Sequence, residues 1–258
     1  MPIQLAIEAT VARVTLDAPA RLNALDVAMW RALRAAFETL AARDDVHCIV
    51  LRGAGGNFAA GADIAEFPRE RFDRDSGRRY HLDLIAPALA AIREAPQPVV
   101  AAIEGVCVGG GFEIASVCDL RLAATGARLG APVGRLGFPL ALPELAPVLQ
   151  LIGPALAADL LLTGRLVDAN EALARGLVQR VADSGQFEAA IAEVVAAILA
   201  GSPLAARQNK RNLRMLVAQG GSFTAAQLEA SFAFFESADY TEGLRAFLER
   251  RAPDFRGR

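Results

Sequence analysis

Glu113 stands just past three consecutive glycines, in the stretch VVAAIEGVCVGGGFEIASVCDLRLA that covers residues 99–123. The glycines separate a segment patterned as a buried strand from a short apolar helix. A chain that turns sharply from strand to helix needs backbone conformations that glycine permits and other residues resist. The first amides of a helix have no intrahelical acceptor and carry the positive end of its dipole, so an oxyanion or a phosphate is stabilised there. A dinucleotide fingerprint needs G-x-G-x-x-G, and a P-loop ends in Gly-Lys-Ser/Thr; neither is present. The chemistry left is one or two amides aimed at a single developing charge, with a carboxyl beside them to move protons. Tight strand–helix packing alone would also ask for a glycine turn. The cost of burying Glu113 without a purpose tips the reading toward chemistry. A second loop, FAAGAD, places the small residues Ala60, Gly61 and Ala62 after a strand, where their amides can approach the same ligand.

Other reactive groups are few. The chain has 258 residues, two histidines and three cysteines. The cysteines (Cys48, Cys107, Cys118) show no CxxC spacing, which fits reduced thiols in the cytosol. Two histidines do not make a multi-histidine metal site, so no metal is expected. A serine-hydrolase elbow, G-x-S-x-G, is missing. The net charge of −2 offers no basic field for nucleic acid. The arginine-rich run RERFDRDSGRR reads as a solvated face. The start lacks a secretory pattern, and LAADLLLTGRL is too short and interrupted to span a bilayer. The expected setting is therefore cytoplasmic, away from membranes.

The elements that must position Glu113 follow from periodicity. VARVTLD alternates as a half-buried strand, VHCIVLRG and QPVVAAIEG read as buried strands, and helical patterns lie between them. The helix after Asp26, a candidate N-cap, buries Met29, Leu33, Phe37 and Leu40. Pro154 suits the first turn of a later helix, and Asp168 with Glu171 has capping-box spacing before Gly176. The alternation predicts an α/β layer structure. From about Ser202 only helical patterns remain. The expected division is a core over residues 1–200 and a helical oligomerisation region over 201–258.

In order along the chain, RLNALD, NFAAGADIAEF, PVVAAIEGVCVGGGFEIASVCDLRLA, LLLTGRLVDANEALARGLVQRV and EGLRAFLERRAPDFRGR resemble the successive motifs of the enoyl-CoA hydratase/isomerase (crotonase) superfamily. The resemblance implies a spiral of ββα turns with a C-terminal helical trimerisation region, assembled as a homotrimer or a hexamer. It implies an acyl-CoA thioester as substrate, no permanently bound cofactor, and a thioester oxygen held by the backbone amides of Ala62 and Gly110. Glu113 falls on the family's first catalytic carboxylate. Coenzyme A contacts fall on Asn23, Ala24, Ala60, Asp63, Ile64 and Ala65, and on Phe247 and Arg250 from a neighbouring subunit. Asp63 is also read as bracing its own turn. Lysine often stands in the family where this chain has Ala65.

Two departures matter. The second glutamate of the hydratases falls on Val133, which cannot accept a proton. The following glycine pair is replaced by PLALPELAP, which puts apolar bulk where the acyl pocket is lined. These changes set double-bond isomerisation or C–C cleavage beside hydration, with a non-catalytic acyl-CoA-binding oligomer as a further alternative. Glu144, inside the replacement, is a second catalytic candidate, although Pro143 and Glu144 also suit the first turn of a helix. Asp119 reads as a structural acceptor and His47 as a strand-edge residue; His81 lies on an amphipathic helix near the acyl-pocket region and reads first as a surface residue. Phe232, Phe234 and Phe235 read as helix packing at a subunit contact.

Overall fold

The computed structural model describes residues 2–257; Met1 and Arg258, the outer ends of the two expected regions, lie outside it. Nine strands are found among the described residues: β1 (Ile3–Glu8), β2 (Val11–Leu16), β3 (Cys48–Gly53), β4 (Val99–Ile103), β5 (Val106–Val108), β6 (Leu120–Ala124), β7 (Arg128–Gly130), β8 (Val167–Asp168) and β9 (Arg180–Ala182). They form a six-stranded sheet ordered β1-β2-β3-β4-β6-β9 and a three-stranded sheet ordered β5-β7-β8. The large sheet is parallel from β2 onward, with β1 antiparallel at one edge. The helices are α1 (Val27–Ala41), α2 (Phe67–Glu70), α3 (Arg74–Arg79), α4 (Ala86–Glu94), α5 (Gly110–Val117), α6 (Leu142–Thr163), α7 (Ala169–Ala174), α8 (Phe187–Leu199), α9 (Pro203–Ala218), α10 (Ala225–Ala230) and α11 (Ala238–Glu249). The expected mixed α/β architecture is what forms.

Parallel strands covered on both faces read as continuous apolar runs, and β3 and β4 do. Alternate residues go to opposite sides. Ile49, Leu51, Val99, Ala101 and Ile103 enter the main core. Cys48, Val50, Val100 and Ala102 face a second cluster closed by Phe187, Ile191 and Val194 of α8. The α1 stripe is buried as its spacing predicts, with Trp30 added, and the Asp26 carboxylate accepts the Met29 amide at 2.7 Å. Asp168 caps α7 through the Glu171 amide. The Glu171 side chain does not complete a capping box; it pairs with Arg165 instead.

Helix α6 is long and apolar enough to cross a membrane by length and composition. It is broken at Gly153 (φ 69°, ψ 166°), so Pro154 opens a second helical run, and Val148, Leu156 and Leu160 are buried. All three cysteines are free and buried.

The C-terminal helices are tied to the sheet by charge. Asp119 accepts from Lys210 Nζ and from an Arg214 nitrogen, each at 2.7 Å, and from the Val99 amide at 2.7 Å. Lys210 is 8% exposed and also donates to the Gln97 carbonyl. Burial pulls the Lys210 amine down to about 8, and Asp119 works against that loss. Removing one partner of a buried pair leaves the other charge uncompensated. Asp119→Ala is therefore expected to cost about 3 kcal/mol, read by chemical denaturation.

Candidate active site

A cavity of about 120 Å³ lies between α5, the loop after β3, the π-helical stretch Tyr80–Ile85 and the start of α6. Its wall contains both glycine-rich segments singled out in the sequence.

The three glycines serve different purposes. Gly109 takes φ 54° and ψ −121° to turn β5 into α5. A Cβ on Gly110 would stand 2.9 Å from Trp30 Cζ2, and one on Gly111 would stand 2.4 Å from the Ala59 carbonyl oxygen. The second clash is with backbone, which cannot move aside as a side chain can. Gly111→Ala is expected to destabilise the protein by about 1–3 kcal/mol, measured as a lowered denaturation midpoint.

The facing loop is pinned on both sides of Ala62. The Leu25 amide donates to the Gly61 carbonyl at 2.7 Å, and the Asp63 amide donates to the Leu25 carbonyl at 2.8 Å. That pairing leaves the Ala62 N–H free. Among the described residues, neither the Ala62 nor the Gly110 N–H donates to a protein acceptor. The two segments are close: Gly110 N lies 3.3 Å from where a Gly61 Cβ would sit, and Ala62 N lies 3.6 Å from where a Gly110 Cβ would sit. Two unspent donors on facing backbones can stabilise a single anion placed between them.

Glu113 is one helical turn beyond Gly110 and only 4% exposed. Its amide is used in the helix, donating to the Gly109 carbonyl. Among the described residues its carboxyl has no hydrogen-bonding partner. Burial raises that carboxyl well above the usual carboxylate range, the charge of Glu144 raises it further, and Arg71 opposes both.

Glu144 does sit in the first turn of α6, as local physics asks. Its side chain, however, turns inward: the residue is 1% exposed, lines the cavity, and its Oε1 lies 2.6 Å from His81 Nδ1. His81 is correspondingly not a surface residue; its side chain is 15% exposed. Periodicity could not show this, because the π-helical turn rotates the residues after Tyr80 away from α-helical phase.

Arg71 is a second correction. In the run read as a solvated face, its guanidinium carbon stands 4.2 Å from the Phe67 ring centroid and 4.4 Å from that of Phe138. It lines the cavity, and among the described residues its guanidinium makes no hydrogen bond or ion pair. Tyr80 beside it is 4% exposed, and its hydroxyl lacks a partner. Nothing in the charge pattern of RERFDRDSGRR separates Arg71 from its exposed neighbours.

Val133 lines the cavity at 9% exposure, Leu140 supplies apolar bulk from PLALPELAP, and Phe138, just before that segment, adds to it. Ala60 lines the cavity too. Ala24 is half-buried, Ile64 and Ala65 are exposed, and Ile64 reaches the cavity rim. Asp63 braces its turn, accepting from the Ala65 amide at 3.1 Å and from Arg21 at 2.9 Å. The Asn23 side chain departs from a ligand-binding role. The residue is 0% exposed; its Oδ1 accepts the Ala18 amide, and its Nδ2 donates to the Ala54 and Asn57 carbonyls. Asn23 therefore holds the loop from within. Phe247 and Arg250 are exposed and do not line the cavity of their own chain. Asp119 is the structural acceptor expected, and His47 lies beside the first residue of β3. No group of three His, Cys, Asp or Glu side chains suited to a metal occurs among the described residues.

A family model described as enoyl-CoA hydratase/isomerase matches residues 6–258. An enoyl-CoA hydratase of Mycobacterium tuberculosis is 34% identical over 252 residues, covering 95% of this chain and 92% of its own length. A solved structure from Magnetospirillum magneticum, described as an enoyl-CoA hydratase/carnithine racemase, matches with a TM-score of 0.97 at 42% identity, over 100% of this chain and 96% of that one. A Bacillus anthracis enoyl-CoA hydratase structure matches with a TM-score of 0.90 at 28% identity, over 100% of both chains.

Proposed function

This chain belongs to the enoyl-CoA hydratase/isomerase family, and we propose that it processes an acyl-CoA thioester through an enolate held by the Ala62 and Gly110 amides. The thioester oxygen sits between the two N–H groups, and negative charge grows on it as a proton leaves the adjacent carbon. Donors aimed at that charge lower the barrier more than they tighten ground-state binding. Glu113 is the group that moves the proton. The observation that carries the reading is the pair of unspent amides one helical turn from a buried carboxyl without a partner.

In this reading the coenzyme A arm lies along Ala24, Ala60, Ile64 and Ala65, and Phe247 and Arg250 reach a neighbour's substrate in a trimer or a hexamer. The exposure of Phe247 (82%) and Leu248 (79%) supports a subunit contact on α11. The chemistry needs no resident cofactor. Val133 favours isomerisation or C–C cleavage over hydration. Glu144 brings a second carboxyl to the cavity and keeps hydration open. The test is a turnover screen of 2-enoyl- and 3-enoyl-CoA thioesters of several chain lengths, with mass-spectrometric detection. Conversion of one class is expected. Tight binding with neither conversion nor exchange of the hydrogens beside the thioester would instead indicate an acyl-CoA-binding oligomer.

A further inference from the structure

We propose that Glu144 is the second catalytic carboxyl of this cavity and that His81 is its positioning residue and its proton connection to solvent. The inference rests on the thioester–enolate reading above. Two carboxyls, Glu113 from α5 and Glu144 from α6, line one small cavity. The hydrocarbon side chain of Val133 leaves no other acid on that wall. Glu144 is fixed by one short contact, 2.6 Å to His81 Nδ1. His81 lies in the π-helical stretch, a local geometry that often marks functional sites. The other charged or titratable groups lining the cavity are Arg71 and Tyr80.

A merely structural pair would tie the π-helical stretch to α6. It would have no reason to leave a second carboxyl, Glu113, facing the same space with no partner. Two carboxyls facing one cavity can divide the acid and base roles between them. For a 3-enoyl thioester, one carboxylate takes a proton from carbon 2 and the electron pair moves onto the thioester oxygen. The pair returns to form the 2,3 double bond as the other carboxyl gives a proton to carbon 4. For hydration, water gives its hydroxyl to carbon 3 and its proton to one carboxylate, while the other carboxyl protonates carbon 2. In both, one proton is taken and one is given. The carboxyls end in exchanged states; a proton passing through His81 resets Glu144, and Glu113 exchanges its proton with solvent in the cavity once the product has left.

The test uses the full-length protein in D₂O with the thioester that it turns over best. Glu144→Gln is expected to lower kcat by about 10²-fold or more, with KM changed little. Glu113-dependent exchange of the carbon 2 hydrogens should survive. His81→Asn keeps a donor near Glu144 but cannot relay a proton; it is expected to lower kcat about 10-fold without raising KM. A purely structural role predicts that His81→Asn restores full activity where His81→Phe does not. If the reaction is isomerisation, product from the wild type should carry solvent deuterium at carbon 4, whereas a single shuttling carboxyl would return the original hydrogen. Should Glu144→Gln fail to fold by thermal melting, Glu144→Leu and His81→Asn carry the same readings. Variants within about threefold of wild type, with unchanged deuterium content, would overturn the role of Glu144 and leave the enolate reading standing. A wild type inert toward every thioester would overturn both.

Discussion

Glu113→Gln is expected to lower kcat about 10³-fold on the best thioester while the thioester still binds. Glutamine keeps the size and polarity of the side chain and removes only its ability to take a proton. The same substitution should not weaken the fold. The buried Glu113 carboxyl titrates well above its ordinary value of 4.5, because burial and Glu144 both oppose its charge. The folded chain therefore holds a proton that the unfolded chain gives up. Stability from this group is full below the ordinary glutamate value and is lost as pH rises through the raised one. Glutamine never ionises, so at neutral and alkaline pH the variant should melt at or above the wild-type temperature. A loss of activity accompanied by a comparable loss of stability would instead make Glu113 a packing residue. Steady-state kinetics with thermal melts at two pH values separates the outcomes.

Removing the Ala62 N–H is expected to cost about 10²–10³ in kcat. Lactic acid incorporated at position 62 replaces the amide with an ester and leaves the methyl side chain in place. No protein hydrogen bond is lost, because this N–H serves no acceptor among the described residues. The ester also makes the Gly61 carbonyl a weaker acceptor for the Leu25 amide, so a small drop in melting temperature is expected. A loss of thioester affinity with kcat unchanged would show uniform binding rather than selective stabilisation of the enolate.

Much of this site was legible before any coordinates. Glycines at 109–111 and the small residues at 60–62 announce two amide-bearing turns, because few other purposes put them after buried strands. Glu113 followed from its cost of burial. The strands β3 and β4 were legible because they are apolar on both faces. Glu144 was visible as a helix-start residue, which it is, but a first-turn glutamate faces water as often as a cavity, and only packing against His81 decides. His81 and Arg71 depart from what their sequence context suggests for related reasons. A π-helical turn breaks the period on which face assignments rest, and a single arginine inserted between Phe67 and Phe138 has the same sequence signature as its solvated neighbours. Asn23 shows the converse: a residue placed by resemblance near the ligand spends its whole side chain on the loop behind it.

The most direct test is a crystal structure with a bound, non-reacting acyl-CoA analogue. The account predicts the thioester oxygen at about 3 Å from both the Ala62 and Gly110 nitrogens, with the Glu113 carboxyl over the adjacent carbon. A thioester oxygen bound elsewhere, with those two amides hydrogen-bonded only to water or Glu113 turned away into an ion pair, would contradict it.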